Sequence, residues 1–183
     1  MQNTNTNSRH IHTLAALALI AAVYAALTMA TGFMSYGSVQ FRIAEALCIL
    51  PFLFPCTTWG LVAGCLIANL ISAYGIADIV FGTLATLLSC LAVSAIGRGH
   101  GTESWWRCAA ACLMPVLFNA VIVGAVIAYA STPEAYSAPF WLLFAANALS
   151  VGFGELVVLF VLGLPLLRWL PNSRLYRQMA AQF

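Results

Sequence analysis

Lysine is absent from this 183-residue chain, whose seven basic residues are all arginines. That gap excludes a Walker A phosphate loop, a Schiff-base lysine and a pyridoxal anchor, because each needs an ε-amine. Work driven by ATP would therefore require another polypeptide. Charge of either sign is scarce, at 7% of residues with a net charge of +2. The arginines are scattered and form no basic face, so nucleic acid is not an expected partner. The six cysteines, Cys48, Cys56, Cys65, Cys90, Cys108 and Cys112, contain no Cys-x-x-Cys pair. Nearly all lie in apolar runs, where cysteine behaves as a small hydrophobe. Histidine is missing from the apolar runs, since His10, His12 and His100 sit in polar flanks. His10-x-His12 alone supplies too few ligands for a metal, and no cofactor is expected.

Apolar residues fill the space that charge leaves. They make up 63% of the chain, and the mean hydropathy is +0.96. No water-soluble core hides that much apolar surface, so an all-α, polytopic integral membrane protein is expected. The segment Met1 to Thr13 lacks the charged start, short apolar core and small-residue cleavage pattern of a removable signal, so the first apolar span is expected to stay as a membrane helix. Turn signals and the length needed to cross divide the chain into six spans: Thr13 to Met34, Phe41 to Phe54, Thr57 to Ala73, Ile76 to Ile96, Trp105 to Ala130 and Ala138 to Leu170. A polar tail (1–12), a six-helix membrane domain (13–170) and a second tail (171–183) follow. Pro51 and Pro55 interrupt the short second span, which is expected to tilt, bend or enter only part of the bilayer. Spans two and three are either two helices or one broken hairpin. With both termini in the cytoplasm, Arg9, Arg98, Arg107, Arg168, Arg174 and Arg177 face inward and only Arg42 does not, which is the positive-inside bias of a multi-pass protein in a bacterial cytoplasmic membrane.

Polar side chains inside apolar spans cost about 2.5–3.5 kcal/mol each when charged at mid-depth, so they mark partners or function. Arg42, Glu45, Asn69 and Asp78 lie in the block from Gln40 to Thr86, and the assigned orientation puts them, with Ser72, in the outer half. Asn119, one turn past Pro115, together with Asn147 and Glu155, adds two later spans. Five segments can thus converge on one outward-opening pocket. Structural alternatives exist for each. Asp78 can cap a helix, Arg42 and Glu45 can neutralise each other on one face, and Asn119 and Asn147 can join helices. Glu155 has no basic residue within two turns, leaving Arg42 as the intramembrane candidate partner, and Gly152 and Gly154 clear space beside it. Phe41, Phe81, Trp141 and Phe153 offer rings for stacking or for packing. The external segments Ser35 to Gln40 and Ser131 to Ser137, with Gly32, Gly37 and Pro133, are lids or plain connectors. In the first span Ala18, Ala22, Ala26 and Ala30 form a smooth ridge with Ala21 and Ala25 alongside, suited to packing within the chain or to docking on a separate membrane subunit.

The run Gln40-Phe-Arg-Ile-Ala-Glu-Ala-Leu, then Leu50-Pro51-Phe52, Gly60-Leu61-x-x-Gly64-Cys65-Leu66-Ile67-Ala68-Asn69-Leu70 and Asp78-Ile-Val-Phe-Gly-Thr-Leu-Ala-Thr-Leu87, closely resembles the QueT family. The resemblance covers nearly the whole chain and includes Gly154-Glu155. It implies a substrate-binding S component of an energy-coupling factor (ECF) transporter for queuosine precursors, with six helices. The implied partners are a transmembrane coupling subunit, met through alanines of the first helix, and two ATPase subunits. The implied cargo is a deazaguanine-type small molecule, whose N1–H and exocyclic amine are parallel donors that a carboxylate accepts. Three intramembrane carboxylates against one arginine suit such a donor-rich or cationic base. Glu45 and Glu155 are the expected donor-facing groups, in either order, with Asn69 and Asn119 or Asn147 on the remaining edge. Arg42 would orient a carboxylate or meet the ligand carbonyl.

Readings of other classes are a solitary ion-coupled carrier, which also uses intramembrane carboxylates, and an intramembrane enzyme, which needs a nucleophile and base in reach. Within the class, an S component for another vitamin-like molecule is the alternative. Copurification with a coupling subunit separates it from the carrier.

Overall fold

A backbone in hydrocarbon must satisfy its own hydrogen bonds, and this chain does so with helices. The computed structural model describes residues 3–32, 41–72, 74–99, 101–130, 139–180 and 182–183, and all regular structure among them is helical. The elements are α1 (Asn3–Ala30), a 3-10 helix (Ile43–Phe52), α2 (Thr57–Asn69), α3 (Gly75–Gly97), α4 (Trp105–Ala130), α5 (Phe140–Asn172) and α6 (Arg174–Ala180). Gln40, the lid positions Gly37 and Pro133, His100 and the span ends Ala73 and Ala138 lie outside the described residues.

Among the described residues, four helices are long and apolar enough to cross a bilayer: His10–Ala30, Gly75–Gly97, Trp105–Ala130 and Phe140–Asn172. The other two expected spans are not. Ten residues at ~2.0 Å rise and thirteen at ~1.5 Å each reach only about 20 Å, against roughly 30 Å of hydrocarbon. Spans two and three are therefore two short helices, with Pro55 in the turn between them. Pro115, by contrast, sits inside α4 without ending it. Both expected tails carry helix. α1 starts at Asn3, and α6 folds back, with Tyr176 and Phe183 ring centroids 5.3 and 5.7 Å from Phe54 and the Thr13 hydroxyl donating to Gln182 O at 2.7 Å.

Close packing of α1 on α2 depends on two glycines four residues apart, the small-xxx-small spacing that lets membrane helices touch backbone to backbone. A Cβ on Gly60 would lie 2.7 Å from Leu17 O, and one on Gly64 2.7 Å from Ala21 O. The face of α1 so buried is Ala21, Tyr24, Ala25 and Thr28, at spacings i, i+3, i+4 and i+7.

The Arg168 guanidinium lies 5.6 Å over the Trp105 ring, and Gly97 abuts the backbone of Phe52. Those contacts gather the start of α4 and the ends of the 3-10 helix, α3 and α5 at one end. An apolar core of Ile49, Phe52, Val93, Cys112, Leu164 and Leu167 fills it. Chain direction then brings Arg42, Asn69 and Asp78 together at the opposite end. Two π turns interrupt the long helices, at Asp78–Gly82 in α3 and Leu159–Gly163 in α5. Such turns recur at functional sites because they rotate the side chains on either side of them.

Candidate functional site

Arg42, Glu45, Asn69, Asp78, Asn119 and Glu155 are all buried, each at 3% exposure or less. Every one must therefore find partners or remain costly. Arg42 enters the 3-10 helix, Asn69 ends α2, and an Arg42 Nη2 donates to Asn69 Oδ1 at 2.7 Å. This bond closes the open end of the hairpin. Asn69 Nδ2 donates to the backbone oxygen of Asp78 at 3.2 Å and approaches Cys65 Sγ at 3.4 Å, so the amide is fully used. The Ser72 hydroxyl donates to Asp78 Oδ2 at 2.5 Å. Gly82 makes room for this meeting, since a Cβ there would lie 2.7 Å from Asn69 Nδ2 and 2.8 Å from Asp78 Oδ1. Next to them the Thr86 hydroxyl is 3.1 Å from Cys65 Sγ and 3.3 Å from Gly82 O.

The two glutamates are held differently. Glu45 Oε1 accepts from the Tyr24 hydroxyl and Oε2 accepts from Cys48 Sγ at 3.0 Å, so both carboxylate oxygens are occupied. Glu155 Oε1 accepts from Asn119 Nδ2 at 3.1 Å, while Glu155 Oε2 and Asn119 Oδ1 have no partner. Arg42 Nε and Asp78 Oδ1 are likewise buried without a partner. Thr58 Oγ1 and Thr83 Oγ1 complete the unpartnered set among the described residues, and Thr58 lies at the far end of α2. The part of α5 that carries Glu155 packs against the 3-10 helix that carries Glu45, which links the two sides of the cluster across the bundle.

A family model described as "QueT transporter" matches residues 14–172. The chain belongs to the QueT transporter family. The queuosine precursor transporter QueT of Lactococcus lactis subsp. cremoris (strain MG1363) is 36% identical over 74 residues, which are 39% of this chain and 43% of that protein. The similarity thus spans less than half of that relative. No solved structure matches.

In this QueT-family chain several expectations from the sequence need correction. Asp78 does not cap a helix: α3 begins at Gly75, and the Asp78 carboxylate accepts from Ser72 instead of from backbone N–H groups. Arg42 and Glu45 take their hydrogen-bond partners elsewhere, Arg42 from Asn69 and Glu45 from Tyr24 and Cys48. The helix partner of Glu155 is Asn119, not Arg42. Asn147 is only partly buried and donates to Leu143 O of its own helix at 2.8 Å, which leaves it outside the cluster. Phe81 is 48% exposed, and Trp141 and Phe153 are more so, so these rings face outward. Phe41 is partly buried beside Arg42 in sequence. Gly152 serves helix packing, since a Cβ there would meet Ala120 at 3.3 Å. The alanine ridge is split by the packing of α1. Ala21 and Ala25 are buried, while Ala18, Ala22, Ala26 and Ala30 all remain exposed.

Tyr24, Cys48, Cys65 and Thr86 belong to the cluster and escape a reading based on polarity. A usable signal for Tyr24 exists: it lies mid-span with Ala21, Ala25 and Thr28 on one helical stripe, where a polar tip needs a partner. A separate cavity of about 550 Å³ lies at the arginine end, between α1, the 3-10 helix, α5 and α6. Its walls are mainly leucines, alanines and other apolar groups, and none of the buried polar cluster lines it. Its size makes it conspicuous, but it has no buried polar group to orient a polar ligand.

Proposed function

We propose that this chain is the substrate-binding membrane subunit of an ECF-type importer that captures a queuosine precursor, a deazaguanine base, from outside. The observation that carries this is the set of buried, unpartnered polar atoms on Arg42, Asp78, Asn119 and Glu155, contributed by four separate segments. Leaving such groups unpaired costs about 1–3 kcal/mol each, more when charged, and a ligand with matching donors and acceptors offsets it. Membership of the QueT transporter family and the name of the Lactococcus relative support the cargo. Six membrane segments with both termini cytoplasmic fit the gathering of arginines at one end and of the polar cluster at the other. Ala18, Ala22, Ala26 and Ala30 dock on a transmembrane coupling subunit, supported by their exposure on a helix whose neighbouring face is already covered. Two partner ATPases supply the energy that a chain without lysine has no phosphate loop to harvest.

The test is a ligand panel on the detergent-purified chain, followed by thermal unfolding: queuine, aminomethyl- and cyano-deazaguanine, guanine, riboflavin, thiamine and biotin. Selective stabilisation by one or more deazaguanines is expected. A response to a vitamin with none to any deazaguanine refutes the cargo and leaves the S-component assignment standing.

A further inference from the structure

The geometry points to Glu155 and Asn119, with Arg42, as the groups that recognise the 2-amino-4-oxo edge of a guanine-type base, with Glu45 as a positioning residue outside ligand contact. The assignment rests on the function proposed above and breaks a tie that the residue types alone leave open. The two glutamates have equal claim by type, but of the two only Glu155 has an oxygen without a hydrogen-bond partner. Glu45 already has a partner on each oxygen, from Tyr24 and Cys48, and both ends of the Asn69 amide are engaged, by Arg42, Cys65 and Asp78. Asn147 is bonded to its own helix. Glu155 Oε2, Asn119 Oδ1 and Asp78 Oδ1 remain, all buried, and of these the first two lie on side chains that a 3.1 Å hydrogen bond holds together.

Glu155 Oε2 and Asn119 Oδ1 are unpartnered acceptors on two side chains joined by a hydrogen bond, and Arg42 Nε is a buried donor without a partner. Their complement is a ligand that offers two donors and one acceptor. An exocyclic 2-amine, a ring N–H and a 4-carbonyl provide that set. A 2-oxo base places an oxygen where the amine should donate and meets acceptor with acceptor. A base with hydrogen at position 2 leaves one acceptor unpaired, and a site built to hydrogen-bond an amine rejects the analogue lacking it far more strongly than an apolar pocket rejects a missing methylene. Glu45 acts one step back, by tying the 3-10 helix that carries Arg42 to α1.

The experiment measures equilibrium binding of three deazapurines to the detergent-purified full chain: 2-amino-4-oxo, 2-oxo-4-oxo and 4-oxo with hydrogen at position 2. The wild type should prefer the first by roughly tenfold or more over both others, the loss expected when a buried acceptor is left without its donor. Glu155→Gln should weaken the first base by about 10- to 100-fold and shrink its advantage. Thermal unfolding without ligand checks that the variant is folded; if it is not, the wild-type series alone decides. Equal wild-type affinity for the three bases overturns the assignment. So does a folded Glu155→Gln variant that keeps both affinity and preference, and in that case the transport reading survives. Failure of the wild type to bind any of the three overturns the assignment together with the cargo proposed above.

Discussion

The Tyr24 hydroxyl donates a hydrogen bond to Glu45 Oε1 and so joins α1 to the 3-10 helix. Both residues are fully buried. The bond sits between the exposed alanine face of α1 and the segment that begins at Arg42, making Tyr24 the link between a surface suited to docking and the polar cluster. Removing the hydroxyl leaves the carboxylate with Cys48 as its remaining partner. Tyr24→Phe should destabilise the protein by about 1–2 kcal/mol, the upper range for hydrogen bonds between membrane helices. A lower midpoint of thermal unfolding in detergent checks this, and an unchanged midpoint would show that the bond carries no net stability.

Gly64 tests the crossing beneath that link. A Cβ would come within 2.7 Å of Ala21 O and 2.9 Å of Tyr24 Cβ, and neither the backbone nor the first side-chain carbon can swing away. Gly64→Val should cost about 1–3 kcal/mol by overpacking. Unfolding midpoint and yield of monodisperse protein report it. Tolerance of valine would mean that α1 and α2 do not pack as described.

Gly82 offers a contrasting case, because an added Cβ meets only side-chain ends, Asn69 Nδ2 and Asp78 Oδ1. Those can shift, so Gly82→Ala should leave the fold largely intact while disturbing the polar cluster. Ligand affinity is expected to fall about tenfold, equivalent to about 1.4 kcal/mol. Binding measured by calorimetry against the wild type decides it; equal affinity would mean that the Asn69–Asp78 contact does not help to hold Arg42 for the ligand.

Ala22 and Ala26 lie on the exposed face of α1, whereas Ala25 lies on the buried one. Replacing Ala22 and Ala26 by leucine should change stability by no more than about 0.5 kcal/mol, as for other surface sites, yet reduce several-fold the coupling subunit that copurifies. Ala25→Leu should instead damage the fold. Undiminished copurification with the Ala22/Ala26 variant would move the docking surface elsewhere.

Much of the buried polar cluster was legible in the residues themselves. Arg42, Glu45, Asn69, Asp78, Asn119 and Glu155 stand out because burying a polar group in hydrocarbon is costly enough to betray a purpose, and all six are buried. Their pairing was not legible. Which of two glutamates keeps a free oxygen depends on Tyr24, whose ring reads as apolar and whose hydroxyl counts only once α1 is packed against the 3-10 helix. The facing of Asn147 and Phe81 was equally hidden. The apolar pattern of α3 and α5 surrounds the whole helix, so periodicity does not say which side faces the bundle, and π turns shift the register further. The helical class followed from composition. The lengths of the two short helices did not, because an apolar run of 10–14 residues is compatible with a buried, re-entrant or tilted segment.

Reconstitution into sealed proteoliposomes tests the central claim most directly, with uptake of a labelled deazaguanine followed in the presence and absence of lumenal ATP. The chain alone should bind the base without accumulating it, and accumulation should require both the copurified coupling and ATPase subunits and ATP. Accumulation by the chain alone, driven by an ion gradient and indifferent to ATP, would contradict a substrate-binding subunit and identify a self-sufficient carrier.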